Sequence, residues 1–181
     1  RTFKKAKKIL KSSKISTRSG LLVKETKNLY KSYNFIKKHK FPYIIGKLAC
    51  SSNFYVLKNN SHITNEHSRK VSHWLRFKNQ GILTTYKTVN SDNPKLTCWI
   101  DGLEKFSPIK IIIDKNLKIK LNFYIINNSI SVKTIIFHNS KNLSKIQILK
   151  NKGVKLVNFN LDSNKNFDLK KIFKKIYNLG I

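Results

Sequence analysis

Methionine is absent from the 181 residues, glycine occurs six times, proline three times and cysteine twice. Asp and Glu number 8 against 38 Lys and Arg, a formal net charge of +30. Each scarcity excludes something. Cys50 and Cys98 stand far apart with no C-x-x-C pair, which rules out a zinc ribbon or disulfide scaffold and fits a reducing, cytoplasmic setting. No apolar run approaches the roughly 18 residues of a membrane-spanning helix. There is no G-x-x-x-x-G-K-S/T, no G-x-G-x-x-G and no G-x-S-x-G, so the P-loop, the Rossmann fingerprint and the nucleophile elbow are missing. Neither H-x-E nor P-C-x-x-C occurs, so these residues carry no zinc nucleobase-deaminase centre, and no metal site is expected. With so few glycines, phosphates would be held by Arg, Lys and helix N-termini. A chain that opens on Arg1 and lacks methionine reads as a piece of a longer product. Its acid-free start, Arg1 to Gly20, also has the composition of a transit peptide.

What is present is a real core in prospect, with 40% hydrophobic and 11% aromatic residues. The charge invites a nucleic-acid reading. However, only Arg1, Arg18, Arg69 and Arg76 are arginine. By thirds of the chain the basic residues number 16, 11 and 11, with no tail or block. Abundant Lys, Asn and Ile together are what an AT-rich genome over-encodes. A nucleic-acid partner is therefore the lesser expectation, supported by Tyr and Phe interleaved with Lys.

Periodicity predicts a short basic helix around Phe3 to Leu10, an extended Ile15 to Gly20, and a helix from Leu21 to Lys40 stopped by Phe41-Pro42. Tyr43 to Cys50 has the apolar content of a buried strand, and Ser51 to Thr64 is loop. A helix follows from a Thr64/Glu66 start signal, with Val71, Trp74 and Leu75 on one face and Arg69, His73 and Arg76 on another. Gly81 to Thr85 is a strand, Ser91 to Pro94 a turn, and Ile109 to Ile113 a fully buried strand ended by Asp114. The last third alternates: strand Val132–Phe137, helix Lys141–Lys152 closed by Gly153, strand Val154–Phe159, helix Asp168–Leu179. This alternation means an α/β fold with parallel pairing.

Three stretches stand out together. The first is Gly46-Lys47-Leu48-Ala49-Cys50-Ser51-Ser52-Asn53. The second is Ile63 to Arg69, continuing through His73-Trp74-Leu75-Arg76. The third joins Gly81-Ile82-Leu83, Thr88-Val89, Asp92-Asn93-Pro94-Lys95-Leu96-Thr97, Gly102-Leu103-Glu104 and Ser107-Pro108 to Asp114. In this order and spacing they resemble the reductase domain of the bifunctional riboflavin biosynthesis deaminase/reductase. The T-V-x-x-D-N-P-x-L-T stretch together with G-L-E-x-x-S-P is fairly specific, and the ordered set is more so.

The resemblance implies a three-layer, dihydrofolate-reductase-like α/β domain with a mostly parallel sheet, C-terminally incomplete. Residues 1–40 would be the end of an upstream zinc deaminase domain and a linker helix; 41–181 would be the first portion of the reductase. It implies NADPH-dependent reduction of 5-amino-6-(5-phosphoribosylamino)uracil, a phosphorylated pyrimidine, to the ribitylamino form, and it allows a homo-oligomer. Carried over by position, Lys47 is the catalytic candidate. Asn60, Arg76 and Leu96 are the substrate-side residues, and Ala49, His62, Thr88, Asp92 and Lys115 the cofactor-side ones. Plainer readings stand beside these: Lys47 as a solvent-reaching strand-end lysine, Arg76 as a solvated helix arginine, Leu96 as core, Asp92 as a turn residue, His73 and Trp74 as helix packing.

The departures are specific. Asn53-Phe54 replaces an Asp-Gly, His62 a Trp, Gln80 an Asp and Thr85 a Gly. Asn60 stands near a substrate-contacting Ser. Trp99 stands where a second substrate Arg is common, and Lys115 where a Ser meets the cofactor. The family's E-G-G segment lies beyond Ile181, so the 181 residues alone are expected to be inactive. The alternatives are a small basic RNA- or DNA-binding protein or a degenerate, inactive reductase homologue.

Overall fold

Strands form where β-branched residues cluster, because such side chains pack well on a pleated surface. They are β1 Gly81–Thr85, β2 Ile109–Ile113, β3 Thr134–His138 and β4 Lys155–Asn158. All pair in parallel, in the order β1-β2-β3-β4. The computed structural model describes residues 2–56 and 63–181. In chain order its helices are α1 Thr2–Ser12, α2 Val23–Leu29, α3 Lys31–His39, α4 Glu66–Lys78, α5 Tyr86–Asp92, α6 Tyr124–Asn127, α7 Leu143–Asn151 and α8 Leu169–Asn178. A short 3₁₀ turn covers Glu104–Phe106. Two compact units result, Arg1–Ile44 and Ile45–Ile181.

The sheet belongs to the second unit, and its period-two alternation sorts the core. Ile82, Ile112, Ile136 and Leu156 face one way, packed with Val89 of α5, Ile125 and Ile126 of α6, and Leu149 of α7. Ile111, Ile135 and Phe137 face the other way, against Ile172 and Ile176 of α8. Helices on both faces of a parallel sheet make the three-layer α/β domain expected from the alternation. Each fully buried isoleucine contributes about 1.5–3 kcal/mol. Gly153 closes α7 at φ 83°, and a Cβ there would lie 2.6 Å from the Ile130 side chain, so only glycine fits.

One core position breaks the apolar pattern. Lys110 pairs across the sheet with Ile82 and Thr134 and is fully buried. Its Nζ has no hydrogen-bond partner and lies 5.4 Å from the centre of the Tyr124 ring. Burial pulls its pKa down to about 8.

Several local expectations are corrected. Tyr43 to Cys50 is irregular rather than a strand, and Ile44, Ile45 and Leu48 are 50%, 49% and 69% exposed. A strand is stabilised by its neighbours, and no sheet partner lies against this segment among the described residues. The helix expected over 21–40 is two helices, because Tyr30 at φ −91°, ψ 10° sits in the bridge region between them. Asn65, not Thr64, caps α4 by accepting from the Ser68 N–H at 2.9 Å. Glu66 pairs instead with Lys70. Ser91 and Asp92 complete α5, and the turn begins at Asn93, in the left-handed region at φ 41°.

Candidate functional site

In open parallel sheets the ligand-binding crevice lies beyond the carboxyl ends of the strands, where loops converge and no crossover fills the space. Here that edge is built from the residues following β1, β2, β3 and β4. After β1 comes α5. Its Val89 is fully buried, while Asn90 clamps the helix to the 118–120 loop, donating to the Lys118 carbonyl and accepting from the Lys120 N–H. Asn93 accepts from the Tyr124 N–H at 2.9 Å. So anchored, α5 turns Thr88 and Asp92, four residues apart, to solvent on one face.

After β2, Asp114 is fully buried and ends the strand by accepting from the Lys118 and Ile119 N–H groups at 2.8 and 2.7 Å. The next residue, Lys115, stands at this edge, half-buried, with its ammonium donating to the Lys165 carbonyl at 2.6 Å.

After β3 and β4 an open groove of about 580 Å³ runs along α7, lined by His138, Ser140, Lys141, Ile146, Lys150 and Asn158 among others. No carboxylate lines it. His138 is buried, and its Nδ1 accepts from the Ser140 N–H at 3.2 Å. Burial pushes its pKa below the usual imidazole value, in keeping with a neutral, accepting nitrogen. Leu143, an apolar residue at the start of α7 whose spacing to Ile146 and Leu149 predicts an inward side chain, instead lines this groove and is 77% exposed. These groove residues were not singled out from sequence. The usable signal was positional: Lys141 and Ser140 fall between a strand end and a helix N-cap.

A second cluster forms where α4 meets the 96–99 segment. Arg76 donates to the Thr97 carbonyl at 2.9 Å, so it is a packed arginine rather than a solvated one. Burial lowers its pKa. His73 Nδ1 accepts from the Trp99 N–H at 3.1 Å, and burial together with the Arg76 charge holds His73 below the usual imidazole range. Cys98 is buried, its N–H donating to Ser107 Oγ. Leu96 is buried in the left-handed region at φ 54°. Arg76 and Leu96 are thus brought near one another through Thr97, while Thr88 and Asp92 lie on α5, after β1, and Lys115 lies just past the end of β2. Lys47 is exposed and Ala49 half-buried, both on the irregular segment before Ser51. Asn60 and His62 lie outside the described residues.

The chemistry of this edge fits a phosphate-bearing ligand. Lysines, a hydroxyl, an imidazole and a helix N-terminus converge there without opposing carboxylates in the groove. Among the described residues no metal-ligating cluster exists and no helix is long and apolar enough to cross a membrane.

Residues 42–181 match the family described as the RibD C-terminal domain. The riboflavin biosynthesis protein RibD of Actinobacillus pleuropneumoniae is 24% identical over 95% of this chain and 46% of its own length. The Acinetobacter baumannii RibD structure superposes with a TM-score of 0.71 at 17% identity, over 97% of this chain and 47% of that one. A Thermotoga maritima structure described as a diaminohydroxyphosphoribosylaminopyrimidine deaminase/5-amino-6-(5-phosphoribosylamino)uracil reductase superposes at 0.66 with 20% identity, over 96% and 46%. The chain spans about half the length of these relatives. The structural likenesses fix the fold as the dihydrofolate-reductase-like α/β arrangement with its parallel sheet.

Proposed function

The chain belongs to the RibD C-terminal domain family, and from that premise we propose that it is the reductase portion of a riboflavin-pathway enzyme. It would act on 5-amino-6-(5-phosphoribosylamino)uracil with NADPH, in the cytoplasm, beside a zinc deaminase domain of the parent protein. The observation that supports this reading is the carboxyl edge of the sheet, where a groove lined by Lys141 and Lys150 and by no carboxylate opens beyond β3 and β4, with Lys115 following β2 and Thr88 and Asp92 on α5 after β1. Lys115, Lys141 and Ser140 would hold the cofactor's phosphates, and Thr88 and Asp92 its sugar hydroxyls. NADPH, when bound, supplies a hydride to the ribose carbon.

This chain's residues do the rest. Arg76 spends one N–H on Thr97 and keeps its remaining donors for the substrate phosphate. Leu96 gives an apolar wall. Lys47, on an exposed segment, donates a proton to the sugar oxygen as charge develops there.

The test is NADPH oxidation by the full-length parent with the phosphoribosylamino-uracil. Arg76→Ala should raise KM, since a phosphate contact holds ground and transition states alike. Lys47→Ala should lower kcat by about 10²–10⁴-fold. No NADPH-dependent turnover by the parent sinks the reading, and an unchanged kcat in Lys47→Ala removes that residue's role.

A further inference from the structure

The groove beyond β3 and β4 has a counterpart at the other end of the sheet. Residues 77–80 lead into β1 and residues 106–108 lead into β2. The strands are parallel, so both segments stand at the amino edge, away from the carboxyl edge that Lys115 and Lys141 occupy. Between them lies an open groove of about 220 Å³. The Ile109 N–H donates to the Gln80 carbonyl at 2.9 Å and ties the two walls together. No carboxylate lines the groove, and Gln80 stands where the resembling family has Asp.

Each wall carries an exposed ring with an ammonium over it. On α4, Trp74 is 43% exposed, and Lys78 Nζ lies 4.9 Å from its ring centre. On the 3₁₀ turn, Phe106 is 49% exposed, with Lys105 Nζ 5.2 Å from its ring centre. Phe77, half-buried, joins the two. Its ring centre is 5.1 Å from that of Trp74, with planes at 35°, and 5.6 Å from that of Phe106, with planes at 79°. The ion pairs among the described residues are Glu66–Lys70 and Asp168–Lys171. Lys78 and Lys105 are therefore compensated by ring faces rather than by carboxylates.

We propose that this amino-edge groove binds single-stranded nucleic acid, with bases stacking on Trp74 and Phe106 and phosphates drawn to Lys78 and Lys105. Every repeat of a single strand brings one flat π face and one negative charge, the same two groups that each wall receives. The lysine stems are flexible, so each ammonium can pass from its ring to an arriving phosphate while a base takes its place. A net charge of +30 attracts a polyanion at long range and opposes a second copy of the chain as the occupant. An acidic polypeptide would meet the ammoniums, but nothing in its backbone repeat matches the rings. The proposal does not rest on the reductase reading, because the two sites lie at opposite edges of the sheet.

Fluorescence anisotropy of a labelled, mixed-sequence single strand about 12 nucleotides long reads the binding. Its DNA and RNA forms should bind alike. The duplex of the same sequence, whose bases already stack on each other, should bind about tenfold more weakly. Trp74→Leu and Phe106→Leu should each lose about tenfold, which is about 1.4 kcal/mol and within the range of one base–aromatic stack. Trp74→Phe should keep most of the affinity. Lys78→Gln combined with Lys105→Gln should flatten the slope of log affinity against log salt by about 1.4, at about 0.7 per phosphate contact. Saturating NADPH should leave the single strand bound. Circular dichroism checks that each variant is folded, and the lysine pair tests the groove even if a leucine variant is not. Unaltered binding in both leucine variants, an unchanged salt slope in the lysine pair, duplex affinity equal to that of the single strand, or displacement by NADPH overturns the proposal. So does polyglutamate bound as tightly as the single strand, which would mark a surface for an acidic polypeptide.

Discussion

Two segments of this chain have nearly the same apolar content and opposite fates. Ile109–Ile113 is an inner strand whose Ile111 and Ile112 are almost fully buried. Tyr43–Cys50 is irregular, with Ile44, Ile45 and Leu48 facing solvent. The difference lies in neighbours. β2 has β1 on one side and β3 on the other, with helices over both faces. Residues 45–50 have no ladder partner among the described residues. Hydrophobicity makes a segment worth burying, but a paired neighbour is what turns it into a strand.

The largest expected effect tests this contrast directly. Ile112→Ala should destabilise the chain by about 2–5 kcal/mol, combining lost transfer energy with a cavity in a packed sheet. Ile45→Ala should move stability by no more than about 0.5 kcal/mol. Urea unfolding followed by far-UV circular dichroism reads both. Similar losses would mean that residues 43–50 are buried in solution, and the contrast would collapse.

The second prediction uses the exception inside β2. Lys110 has a folded pKa of about 8 against an ordinary 10.5. For a base with a depressed folded value, the unfolded chain binds more protons between those two pH values. Stability therefore rises as pH climbs from 8 to 10.5, and below 8 the cost is fully present. That cost is on the order of 3 kcal/mol. Lys110→Met should stabilise the chain by about 2–3 kcal/mol at pH 7, with the gain fading towards pH 10.5. Stability curves of the variant and the parent that run parallel across this window would show that Lys110 is solvated.

These contrasts also show what could be read from residues. β1 and β2 are legible to the residue, because glycine, β-branched runs and a terminal Asp114 mark their ends. α8 is legible from Ile172 and Ile176 on one face and four lysines on the other. α5 was not, since Tyr86–Asp92 is polar and rich in turn formers and only Val89 is buried. Among the site candidates, Arg76, Thr88, Asp92 and Lys115 are singled out by motif resemblance alone, and the groove at His138 and Lys141 could not be, because it arises only when β3 and β4 lie side by side. Lys110 hid in an I-K-I-I-I run whose parity alone put an ammonium in the core.

The smallest expected effect lies in the unpaired region, just after it. Ser51 makes a tight turn: its N–H donates to the Tyr55 carbonyl at 3.0 Å, and the Phe54 N–H returns to the Ser51 carbonyl at 3.0 Å. Ser51 Oγ accepts from the Tyr55 N–H, also at 3.0 Å. This closure places Phe54 at φ 63°, in the left-handed region, where a Cβ costs about 1–2 kcal/mol. The resembling family carries glycine there, and the geometry supplies the reason. The phenylalanine ring recovers little of that cost, being 80% exposed. Phe54→Gly removes the steric term and adds freedom to the unfolded chain, a loss of about 0.5–1 kcal/mol. The net gain is about 0.5 kcal/mol. Phe54→Ala keeps the Cβ and gives up a ring that was packed against little, so its stability should match the parent's. A gain in Phe54→Ala as large as in Phe54→Gly would place the strain in the ring rather than the backbone. A loss in both would show that Phe54 is covered in solution and that this region has a partner after all.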